Sequence, residues 1–228
     1  TGSVLYGHTQ IAIEEMPGLS LYNGSTPQLQ SKGEQTMNRN HNNGLDTIHI
    51  QGTQNYLGKA NGATLAIDYS GTVEEIRNPL IIVEGFDPGA VTNPEEIFGD
   101  NDLVSFLREV EFSVSAALDN LLKGGAQQFD LIYVNWDKGT DVIQRNAYLL
   151  KEIIQWVNYE KVDDSIQNVI LGQSMGGLVA RYALKDMEDH NKDHDTRLYI
   201  SHDSPHLGAN VPLAYQAAAR HARRQYIR

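Results

Sequence analysis

The chain has 228 residues, 40% of them apolar, enough for a single domain with a substantial core. A net charge of −11 argues against nucleic acid or an anionic membrane as the main partner, because both repel an acidic surface. The absence of cysteine excludes disulfides, thiolate metal sites and a cysteine nucleophile. Residues 1–78 are polar and rich in Gly, Asn, Gln and Ser. Within them, Thr47–Ile50 and Ala63–Tyr69 alternate with period two and predict strands, while Asn23–Asn43 has almost no apolar residues and predicts a long loop. No stretch reaches the roughly 18–20 apolar residues that a membrane span requires. The chain opens Thr1-Gly2-Ser3 with no basic segment leading into an apolar one, so it reads as a processed form or an excised piece.

From Pro79 onward, over 79–228, strands and helices alternate. Leu80–Val83 is a short apolar run, the pattern of a strand buried on both faces. Leu103, Phe106, Leu107, Val110, Val114, Leu118 and Leu121 predict a helix over 102–123, ended by Gly124-Gly125. A strand over 130–135 follows, then a helix over 141–158 with Ile143, Ala147, Leu150, Ile154 and Val157 on one face. Next come a strand over 168–171, a helix from Met175 to about Met187, and a strand over 197–201. This alternation predicts an α/β fold: a mostly parallel sheet with helices on both faces.

The chemistry-bearing motif is Gly172-Gln173-Ser174-Met175-Gly176, a Gly-x-Ser-x-Gly between a buried strand and a helix. A strand–turn–helix strains the serine backbone and exposes its hydroxyl above the sheet. Side chains two residues to either side would collide, which accounts for Gly172 and Gly176. The following helix N-terminus offers N–H groups to a developing oxyanion. Ser174 is the candidate nucleophile. An ordinary tight turn holding a buried serine is the alternative.

Asn168–Leu184 closely resembles the nucleophile region of lipase-like α/β-hydrolases. Leu80–Gly89 resembles their strand and oxyanion loop, and Ser204-Pro205-His206-Leu207-Gly208 is similar to the Pro-His-x-Gly motif of bacterial lipases and inositol-deacylase-like enzymes. Asp137–Asp141 and Ser201–His206 look most like uncharacterised secreted hydrolases of Bacteroidetes-type bacteria. The resemblance covers about 79–213. It implies an α/β-hydrolase fold, a serine esterase working through an acyl-enzyme without a cofactor, and an oxyanion hole of the Phe86 and Met175 backbone N–H groups. It also implies a secreted or cell-surface setting and a small-molecule or lipid ester as substrate. An amidase, peptidase or acyltransferase on the same machinery, or a non-catalytic surface protein on this scaffold, stays open. Glu84 stands where the family usually has His, and Asp87 follows closely. Two carboxylates beside an oxyanion hole are unfavourable unless they hydrogen-bond the loop, which is the expectation.

The fold orders its triad Ser, acid, His. Only 54 residues follow Ser174, so the acid and the His are expected beyond Arg228, the fold being truncated at its C-terminal end. The alternative within the chain is Asp203 with His202, His206 or His221. The run from Asp186 to Asp195 offers hard ligands to a divalent metal, but a solvated surface is the favoured reading and no metal site is assigned. Leu213–Arg228 predicts a helix with Arg220, Arg223, Arg224 and Arg228 towards its end. By resemblance it is a lid that meets lipid; a scaffold helix is the alternative. Trp136 and Trp156 are expected to pack in the core or at its rim.

Overall fold

The computed structural model describes residues 2–6, 9–15, 39–42, 45–70, 73–87 and 128–226. Its strands are β1 (Gly2–Tyr6), β2 (Thr9–Glu15), β3 (Arg39–Asn42), β4 (Leu45–Gln51), β5 (Gly62–Asp68), β6 (Pro79–Val83), β7 (Asp130–Trp136), β8 (Asn168–Gln173) and β9 (Thr196–His202). The helices are α1 (Ile143–Glu160), α2 (Met175–Asp189) and α3 (Leu213–Tyr226). The described strands form one sheet in the order β1-β2-β9-β8-β6-β7-β5-β4-β3.

The four strands that read as buried runs are its parallel centre. β6 lies between β7 and β8, with Val83 opposite Val134 on one side and Gly172 on the other, and β8 runs parallel to β9. Every residue of β6 is buried, as its unbroken apolar composition requires. Antiparallel strands extend this centre at both ends. On one side β5 joins β7 and β4 joins β5; on the other, β2 joins β9. The sheet is therefore mixed, and strands from the polar first 78 residues share it with the later ones. β1, β2 and β3 are elements that the sequence reading did not predict, and β3 falls at the end of the expected loop. The remainder of that loop and the helix expected over 102–123 lie outside the described residues.

Alternation along the strands sorts side chains to two faces. Ile81, Val83, Ile132, Val134 and Ile170 face α1 and α2, whose Ala147, Leu150, Ile154, Val157, Val179 and Ala183 complete the larger core. Leu80, Ile82, Leu131, Tyr133 and Val169 make a second cluster on the opposite face. Each fully buried aliphatic side chain contributes about 1.5–3 kcal/mol. Trp136 and Trp156 belong to the larger core. α1 starts two residues later than its apolar pattern suggests, because the Asp141 carboxylate accepts the Val142 N–H and pairs with Arg145, keeping 141–142 outside the helix.

Candidate active site

Ser174 occupies the single residue between the end of β8 and the start of α2. Its backbone has φ 51° and ψ −119°, a conformation that costs a non-glycine residue about 1–3 kcal/mol and persists only where its surroundings enforce it. Those surroundings are backbone. A Cβ on Gly172 would lie 2.6 Å from the Gly177 nitrogen, and one on Gly176 would overlap the Val83 carbonyl oxygen and sit 2.5 Å from that of Glu84. The Ser174 N–H donates to the His202 carbonyl at 2.9 Å, carrying the β8–β9 ladder one residue beyond the strand. The turn is thereby fixed at the C-terminal ends of the parallel strands, where ligands bind in this architecture.

Two backbone segments meet Ser174. Met175 is the first residue of α2, and its N–H has no intrahelical acceptor. Gly85, just past β6, approaches so closely that a Cβ there would be 3.1 Å from Ser174 Cβ and 3.7 Å from Oγ. Phe86 follows with its ring exposed, and the Asp87 N–H donates to the Gly139 carbonyl at 3.3 Å. The two carboxylates that the sequence raised here are both buried. Glu84 Oε2 accepts the Trp136 backbone N–H at 2.8 Å, so its partner is the end of β7 rather than the loop that the sequence reading expected.

The Ser204–Gly208 segment supports the elbow from the β9 side. Ser201 Oγ and His206 Nε2 are hydrogen-bonded at 2.6 Å, Ser204 Oγ lies 3.5 Å from the Gly172 carbonyl, and Tyr199 OH donates to the Gly177 carbonyl at 2.6 Å. The buried Tyr199 contact gave no sequence signal, because only the register of β9 aims that hydroxyl at α2. Asp203 is exposed, with φ 49°, in the turn that leaves β9, and His221 is exposed on α3. Among the described residues, no hydrogen bond joins any His to the Ser174 hydroxyl. An Asp–His pair, Asp137 with His49 Nε2 at 3.0 Å, lies on the same end of the sheet but towards β4, with three strands between β4 and β8 in sheet order.

Between β6 and β8, then, a strained serine stands above the sheet, with a helix N-terminus on one side and a strand-exit loop on the other. Residues 137–221 match the model of a family described as "Putative serine esterase (DUF676)". Solved structures similar to this chain include a highly thermostable carboxyl esterase from Bacillus coagulans, 16% identical, with a TM-score of 0.34 over 59% of this chain and 39% of the other. Another is brefeldin A esterase, a bacterial homologue of human hormone sensitive lipase, 14% identical, with a TM-score of 0.39 over 66% and 37%. A rice cell wall degrading esterase, LipA from Xanthomonas oryzae, is 11% identical, with a TM-score of 0.36 over 64% and 38%. The aligned parts span about two-fifths of those chains. No curated protein matches at a comparable level.

The remaining candidates stand apart from Ser174. In the acidic run, Asp186 pairs with Lys151, Asp189 with Lys185 at 2.7 Å, and Asp195 with Lys161. Among the described residues, no group of His, Asp or Glu is arranged to hold a metal ion. A cleft of about 620 Å³, lined in part by Arg77, Gln128, Val162, Gln167 and Arg197, opens at the N-terminal ends of the central strands, away from the elbow.

Proposed function

We propose that the whole protein is a serine esterase in which Ser174 carries the acyl group. The observation that carries this reading is the Ser174 backbone at φ 51°, ψ −119°, flanked by Gly172 and Gly176 where an added Cβ would meet backbone. A strained serine at a strand–helix junction is the geometry that presents Oγ to a carbonyl carbon. A histidine removes the hydroxyl proton as Oγ attacks the ester carbonyl. The tetrahedral oxyanion is held by the N–H groups of Met175 and Phe86. The alcohol leaves with the histidine's proton, and water then hydrolyses the acyl-enzyme, restoring Ser174. Each oxyanion donor supplies about 3–4 kcal/mol.

Among the described residues, His206 is engaged with Ser201 and the side chain of His221 is exposed on α3, so neither is assigned as the base. The substrate is a carboxylic ester with an apolar acyl group. Phe86, Leu207, Val211, Leu213 and Tyr215, which follow the exits of β6 and β9, are exposed apolar side chains, consistent with a lipid-like ester and with α3 acting as a lid.

Fluorophosphonate labelling, read by intact mass, tests the proposal. The whole protein is expected to gain one label that Ser174→Ala abolishes, and to hydrolyse p-nitrophenyl esters with the same dependence. Labelling of the 228-residue chain by itself would place the base among His202, His206 and His221. An unreactive whole protein would overturn the esterase reading.

A further inference from the structure

We propose that Glu84 is a positioning residue that sets the aim of the oxyanion loop, an inference that rests on the esterase reading above. The described part of this loop is Glu84 to Asp87. It belongs to no helix or strand, yet its second residue, Gly85, packs against Ser174. A loop that supplies an oxyanion donor must hold that donor to within about 0.5 Å, so something outside its own conformation has to fix it.

Four anchors among the described residues run to β7 and the turn that follows. The Glu84 N–H donates to the Val134 carbonyl at 3.4 Å, and Asp87 N–H to that of Gly139 at 3.3 Å. The Trp136 backbone N–H donates to Glu84 Oε2 at 2.8 Å, and the Trp136 indole N–H to the Glu84 carbonyl at 3.4 Å. The shortest of the four uses the Glu84 side chain, which is 0% exposed. Elsewhere along the sheet a strand end is held by the ladder. Here β6 has already ended, and the carboxyl group replaces the missing rung by reaching across to β7 itself. Gly85 and Phe86 are left suspended between two fixed residues, and this directs the Phe86 N–H. The elbow closes the other side, since Gly176 packs against the carbonyl oxygens of Val83 and Glu84. The acidic residue at this point in the loop is therefore not a charge facing the oxyanion but a backbone acceptor turned sideways into the sheet.

The role is that of an acceptor for one N–H, so an amide oxygen should serve and a hydrocarbon should not. In the whole protein, kcat and KM are measured on a p-nitrophenyl ester for wild type, Glu84→Gln, Glu84→Leu and Glu84→Asp. Each is normalised to sites labelled at completion by fluorophosphonate, and backbone hydrogen exchange is followed over 80–87 and 134–139. Loss of one oxyanion donor lowers kcat by about 10²–10³-fold, so a donor that is misaimed rather than lost should cost about 10–100-fold. Glu84→Leu is expected to lower kcat per labelled site by that amount with KM within about twofold, and to speed exchange in both segments. Glu84→Gln should stay within about threefold of wild type on both readouts. If Glu84→Leu fails to fold, Glu84→Asp decides in its place: it keeps the carboxylate but shortens its reach, and it should lose kcat in the same sense. A folded Leu or Asp variant with wild-type kcat per labelled site overturns the proposal, whatever its melting temperature. So does a Gln variant as impaired as Leu. A wild-type protein that neither labels nor turns over ester overturns the esterase reading and this one with it; wild-type turnover beside an undisturbed Leu variant overturns this one alone.

Discussion

The two ends of the parallel strands are held by opposite means. At the N-terminal ends, buried polar side chains clamp the chain. Asp130 accepts the N–H groups of Ser70, Arg77 and Asn78 and the Ser70 hydroxyl, all within 2.8 Å. Asn168 donates to Asn158 Oδ1 and the His194 carbonyl, and Lys161, 2% exposed at its side chain, donates to the Ile166 carbonyl and pairs with Asp195. At the C-terminal ends the elbow is instead set largely by close backbone packing at Gly172 and Gly176.

If that division is right, the two ends should fail differently. The largest loss of stability is expected at the clamped end. Asp130→Ala strands three backbone donors and should cost about 3–5 kcal/mol in denaturant unfolding, while labelling of Ser174 per folded molecule stays unchanged. A parallel loss of labelling would show that the ends are not independent. Gly176→Ala should do the reverse. Overpacking costs about 1–3 kcal/mol, but the shift it forces on Ser174 should lower esterase turnover of the whole protein by about 100-fold.

The smallest effect concerns the turn that leads into α1. Burial alone would raise the Asp141 pKa, but the hydrogen bond and charge of Arg145, the Val142 N–H and the charge of Lys138 outweigh it, and the net shift is downward. A carboxyl group lowered in the folded state stabilises fully above its unfolded value, near 3.9, and that contribution is lost as pH falls through the lower, folded value. Asp141→Asn should therefore be about 1–2 kcal/mol less stable than wild type at pH 6, with the gap closing below about pH 4 in paired thermal melts.

What could be read from the sequence follows the range of the forces involved. The elbow was legible because its strain, glycines, buried strand and helix all fall within neighbouring residues. α1 and α2 were legible because Leu150, Ile154 and Val157 bury one helical face. β3 was not, since Arg39–Asn42 carries no apolar residue and is a strand only through backbone pairing with β4 at the sheet edge. β1 and β2 depend on β9, whose paired residues lie far along the chain. At Glu84 the sequence showed an unexpected residue and suggested that it bonds the loop; it could not show that the partner is Trp136, on a different strand.

The glycines of the elbow are also mutually dependent. A Cβ on Gly172 would strike Gly177, while one on Gly177 would overlap Ser204 Oγ, lie 2.8 Å from Ser204 Cβ and 2.9 Å from Ser201 Oγ. No single position here is free to drift. Removing the Ser204 hydroxyl would still leave its Cβ and Ser201 Oγ in the way, so a side chain at Gly177 needs the β9 exit itself to move. In an evolving lineage such crowding makes the Ser174 turn easy to keep and hard to reach one substitution at a time.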